Sequence, residues 1–88
     1  MGAMSNEYTL HRHPRKVVFV LEEETNLFLV KNLCHDKNLW CTDHTNCEAD
    51  DVLNESSKSA RKACGGYWVT VEVAREIWNR YRSKGYVE

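Results

Sequence analysis

The stretch Lys16-Val17-Val18-Phe19-Val20-Leu21-Glu22-Glu23-Glu24-Thr25-Asn26-Leu27-Phe28-Leu29-Val30 decides the fold. Two runs rich in β-branched, aromatic and aliphatic side chains, Val17 to Leu21 and Leu27 to Val30, flank the polar segment Glu22 to Asn26, which is the pattern of a β-hairpin. Asn26 suits the positive φ that such a loop often needs, and three adjacent glutamates require a solvated tip. A lone hairpin is marginally stable in water, so a further strand or a helix has to cover it.

C-terminal to the hairpin, Leu39-Trp40-Cys41-Thr42 is a candidate third strand after the polar turn Cys34 to Asn38. Thr45 with Glu48 three residues on matches a capping box and predicts a helix from near Asn46 toward Ala63, ended by Gly65. Ser56-Ser57-Lys58-Ser59 weakens the second half of that helix, since serine competes with the backbone for hydrogen bonds. A second helix begins at a Thr70 cap. Ala74, Ile77, Trp78 and Tyr81 recur along it at i, i+3, i+4 and i+7, with Arg80, Arg82 and Lys84 in its last turns and Gly85 after them. Its Trp78 face is expected on the sheet. Tyr67-Trp68-Val69 and Tyr86-Val87 read as short extended edges.

On the N-terminal side, Met1-Gly2-Ala3 reads as a cloning remnant, and residues 1–15 as a flexible arm that Pro14 keeps from continuing as a regular element. Residues 16–88 then form one α+β domain: a small antiparallel sheet (hairpin 16–30 plus the possible third strand) packed on the C-terminal helix, with a Cys/His-rich central loop.

Size makes that core thin. Leu, Ile, Val and Phe number 19 of 88 residues, about 22%, just above the composition at which chains stay disordered. At about 0.05–0.15 kcal/mol per residue the net stability is roughly 4–13 kcal/mol, so a metal site or a disulfide would weigh heavily. The longest apolar run is the five residues Val17 to Leu21, against about 20 for a membrane span. No leader segment is visible, and a cytoplasmic location is expected, the host cytoplasm if the chain is phage-encoded. The net charge of -1 excludes a protein held everywhere to nucleic acid by bulk positive charge. It is, however, a sum over blocks: +2 for residues 1–20, -7 for 21–57 and +4 for 58–88, which leaves a basic and an acidic face possible on folding. Neither a dinucleotide fingerprint nor a P-loop can be built from the four glycines.

Cys34, His35, Cys41, His44 and Cys47 lie within fourteen residues, and Cys64 follows. Zinc takes four Cys or His ligands in a tetrahedron, and Cys41-x-x-His44-x-x-Cys47 has the gap that lets a turn present neighbouring donors to one ion. Cys34 or Cys64 would complete the shell, or all four thiolates would bind without His44. The competing readings are unligated thiols, or two disulfides of which Cys34–Cys41 with Cys47–Cys64 is the simplest pairing. A structural zinc would supply folding free energy that the core lacks.

An enzyme is not expected. Cys64 before Gly65-Gly66 invites a thiol nucleophile, but at the C-terminal end of a helix the dipole disfavours a thiolate. The acidic runs Glu22 to Glu24 and Asp50-Asp51 read as solvated charge. Arg12, Arg15, Lys16, Arg75 and Arg82, with aromatic residues nearby, support an alternative of nucleic-acid binding through the basic arm and the C-terminal helix.

The closing stretch Val73-Ala74-Arg75-Glu76-Ile77-Trp78, followed by Gly85-Tyr86, resembles the C-terminal helix of short uncharacterised cyanobacterial and bacteriophage proteins over about a sixth of this chain. The resemblance implies a small bacterial or phage accessory protein of a class whose members act by binding a larger protein. The expected function is therefore a non-enzymatic, regulatory interaction module with a protein partner, its centre held by zinc.

Overall fold

The computed structural model describes residues 6–43, 61–63 and 66–88, the second of these as backbone. Its elements are β1 (Glu7–Arg12), β2 (Arg15–Glu22), β3 (Leu27–Asp36), β4 (Leu39–Thr42), β5 (Arg61–Ala63), β6 (Gly66–Thr70) and α1 (Val71–Ser83). The strands form one antiparallel sheet in the order β1-β2-β3-β6-β5, with β4 also on β3. The fold is α+β, and α1 packs on one face of the sheet.

The hairpin expected over residues 16–30 is present as β2 and β3, in register from Glu22↔Leu27 to Arg15↔Cys34. Asn26 takes a φ of 56° at the end of its loop. β3 runs beyond Val30 and into the expected turn Cys34 to Asn38, as far as Asp36, because the turn itself is only Lys37 and Asn38, both with positive φ. A two-residue turn of this kind matches the twist of the strands it joins. The third strand is β4. It and β6 share one edge of β3: Leu27 to Val30 pair with β6, and Leu33 to Asp36 with β4.

Three sequence expectations change. Residues 7–12 of the expected flexible arm are β1, which pairs along its whole length with β2. Its apolar Leu10 lies opposite Val17 and is fully buried, and that contact orders a segment whose own composition would not. The helix expected toward Ala63 lies mostly outside the described residues, but Arg61–Ala63 is strand, because β6 offers it a backbone partner. Tyr67 to Val69 is not an edge, since β6 lies between β3 and β5.

Side chains alternate across the sheet. Tyr8, Leu10, Val17, Phe19, Phe28, Val30, Tyr67 and Val69 share the face that α1 covers, as their pairings require. Ala74, Ile77 and Tyr81 of α1 are buried against this row, and Trp78 meets Phe19 edge-on at 5.3 Å between ring centroids. The Thr70 cap is as expected, its hydroxyl accepting the Val73 N–H at 3.3 Å. After Gly85, whose φ is +96°, Tyr86 packs on Tyr81 and Val87 bridges to His11 of β1. Among the described residues no helix is long and apolar enough to cross a membrane.

Candidate functional site

Of the five candidate zinc ligands, Cys34 and Cys41 are described, and His44, Cys47 and Cys64 lie outside the described residues. Cys34 and Cys41 are cross-strand partners on β3 and β4. They are the third pair from the turn and so fall on a hydrogen-bonded position, with Cα atoms about 5.5 Å apart and both side chains on one face. Both are free thiols. Register thus joins two donors seven residues apart, while the described residues contain no group of three or more donors able to hold a metal. Partial burial, together with the negative charge of Asp43, Cys41 and Asp36, holds the Cys34 thiol above its ordinary value, and Arg15 opposes them. Arg15 is engaged by Asp43 at 3.1 Å. A thiol so raised is protonated at neutral pH, which removes Cys34 as a ready nucleophile.

The five candidate nucleic-acid contacts do not form one surface. Arg12 donates to the Lys84 carbonyl at 2.7 Å and lies over the Tyr86 ring, and Arg82 pairs with Glu88 at 3.2 Å. Lys16 follows Arg15 on β2 and therefore projects from the opposite face, where its ammonium sits 4.2 Å from the Trp40 ring centroid. That face also carries His13 and His35, with ring centroids 5.3 Å apart. Arg75 is exposed and makes no ion pair among the described residues.

Arg75 instead lines an open groove of about 250 Å³ at the corner where α1 starts across the sheet. Tyr8, Phe19 and Phe28 form its sheet side, and Val71, Ala74, Arg75 and Trp78 its helix side. The Tyr8 and Phe28 rings are 6.2 Å apart, and Tyr8 is 50% exposed. The walls are apolar and mostly aromatic, with a cation at one margin, so the groove suits an apolar side chain next to a negative charge. Sequence reasoning missed it. A signal for its helix side exists, since 71, 74, 75 and 78 fall at i, i+3, i+4 and i+7. Its sheet side has no local signal, because Tyr8, Phe19 and Phe28 come together only through strand register.

Comparison with protein-family models, curated proteins and solved structures finds no match in any of the three.

Proposed function

We propose that this chain is a non-enzymatic interaction module that binds a larger protein through the groove between α1 and β1–β3. The observation that carries the reading is the aromatic lining of the exposed Tyr8 and the partly buried Phe28 beside the exposed Arg75. Aromatic anchors and arginine dominate protein interfaces, because they supply large contact area together with directional hydrogen bonding. Zinc at the other end of β3 is part of the same proposal. Cys34 and Cys41 would supply two thiolates, and His44, Cys47 and Cys64 remain the candidates for the other two positions. Zinc there would tie the β3–β4 end together and add folding free energy to a thin core.

A displayed library of protein fragments, selected on the wild type and counter-selected on a Tyr8→Ser, Arg75→Glu double variant, tests the reading. Fragments that bind the wild type at least tenfold better than the variant are expected. Fragments that bind both equally would place the interface elsewhere, and an empty selection would sink the reading. Labelled single- and double-stranded oligonucleotides serve as the parallel arm. Binding that falls steeply with salt and is lost on neutralising Arg12, Arg15, Lys16, Arg75 and Arg82 would favour a nucleic-acid partner. Metal and thiol counts on the reduced protein test the zinc: one equivalent with protected thiols supports it, and four reactive thiols without metal reject it.

A further inference from the structure

We infer that the groove is one half of a strand-addition site, whose other half is the outer edge of β1, and that its occupant is an extended segment of a partner protein. The inference rests on the protein-binding reading and adds the form the partner takes.

β1 is the first strand of the sheet and has β2 on one side only. On the other side His11 exchanges both backbone hydrogen bonds with Val87, N to O at 2.6 and 2.9 Å. The His11 N–H and C=O therefore point away from β2, and by the alternation of a strand so do those of Thr9 and Glu7. Among the described residues no backbone group meets Thr9 or Glu7 on that side. Among the described residues, Thr9 and Glu7 are thus two open ladder positions on this edge. Edges of this kind recruit extended chains, because every unpaired group there is already aligned.

The groove lies next to the vacancy. Tyr8, between Thr9 and Glu7, turns its side chain onto the face that α1 covers and forms the groove wall nearest the edge. On the outer side Tyr8 occupies a non-hydrogen-bonded position, so a residue added opposite it would lie about 4.5 Å away between Cα atoms, its side chain on the same face. That side chain reaches the groove. Arg75, exposed and without an ion pair among the described residues, lines the same groove, so a carboxylate on the next side chain of that face, two residues along, would complement it. The fitting segment therefore has a large apolar residue and, two positions on, a carboxylate.

A second copy of the chain fits less well. Antiparallel self-pairing centred on Tyr8 would put Asn6 of one copy opposite Leu10 of the other. Continuing the antiparallel register of the His11↔Val87 bridge by one residue brings Glu88 opposite Leu10. A partner segment that begins opposite Thr9 and leaves past Glu7 meets no such obstacle.

The blocked pentapeptide acetyl-Thr-Phe-Thr-Glu-Thr-amide, which begins opposite Thr9, is the probe, added to the isotopically labelled full chain and followed by amide and indole NMR shifts. Saturable shifts at Tyr8, Thr9, Phe28 and Trp78 are expected, with a dissociation constant on the order of 10⁻⁵–10⁻³ M for so short a ladder. Thr9→Pro deletes only an outward N–H, at an edge position where proline is tolerated. It should keep the native spectrum and weaken the peptide at least tenfold. Replacing the peptide's glutamate by glutamine should weaken binding to the wild type and leave binding to Arg75→Gln unchanged. Absence of saturable shifts up to millimolar peptide, or equal binding by a folded Thr9→Pro, would overturn strand addition. A wild-type dimer that Thr9→Pro dissolves would overturn it in favour of self-pairing. Library fragments that depend on Tyr8 and Arg75 but tolerate Thr9→Pro would remove strand addition and leave the protein-binding reading standing.

Discussion

Gly66 illustrates how one residue can be dictated by its neighbour across the sheet. It begins β6 beside β3, and a β-carbon there would run into the Val30 carbonyl. Because the obstacle is backbone, it cannot swing aside. Gly66→Ala is expected to lower stability by about 1–3 kcal/mol, measured as a shift of the denaturant midpoint at unchanged slope. Cys34 makes a second prediction. Its thiol is raised above the ordinary value of 9.0, so the folded state holds that proton more tightly than the unfolded chain does. The resulting stabilisation is complete below the unfolded pKa and is lost as pH rises through the folded one. The metal-free midpoint should therefore fall more steeply above about pH 9 in the wild type than in Cys34→Ser. Zinc binding runs the other way: thiol protons must leave, so affinity should weaken as pH falls, and the raised Cys34 moves that weakening to higher pH.

At the scale of elements, α1 is the one helix among the described residues that covers the sheet, and its contribution rests on Ala74, Ile77 and Tyr81. Ile77 is fully buried. Ile77→Ala should cost about 2–5 kcal/mol, a large share of what a chain of this size has, and calorimetry should show a much lower unfolding temperature. Tyr81, also fully buried, donates its hydroxyl to Asn32 Oδ1 at 2.7 Å and so ties α1 to the middle of β3. Tyr81→Phe is expected to cost about 1 kcal/mol, well below Ile77→Ala, because only a hydrogen bond is lost and the packed ring stays. Much of α1 was legible beforehand from its spacing, its Thr70 cap and its closing glycine. The hairpin and β4 were legible too, because alternation and turn residues are local. β1 and β5 were not, since Glu7 to Arg12 and Arg61 to Ala63 have little apolar content of their own and become strand when β2 and β6 offer them partners.

Taken as a whole, the molecule separates its features along β3. One end carries the Cys34 and Cys41 pair with Arg15 and Asp43, and the other opens into the groove beside β1. Stability and recognition can then be altered separately. Arg75→Glu should leave the unfolding temperature within a few degrees of wild type, since Arg75 is exposed and makes no ion pair among the described residues. It should nevertheless abolish binding of any acidic partner segment. A matched calorimetric scan and binding isotherm on one preparation check both halves.

By itself the sequence determined what depends on near neighbours: the two strands around Glu22 to Asn26, the positive φ at Asn26, and the amphipathic helix after Thr70. Tertiary structure alone decided which distant residues meet. Register set Cys34 against Cys41 and brought Tyr8, Phe19 and Phe28 to one corner, and the bridge to His11 tied Val87 to the β1 edge. Periodicity names the face a side chain occupies, but a groove or a donor pair arises from the pairing of segments, which no single segment encodes.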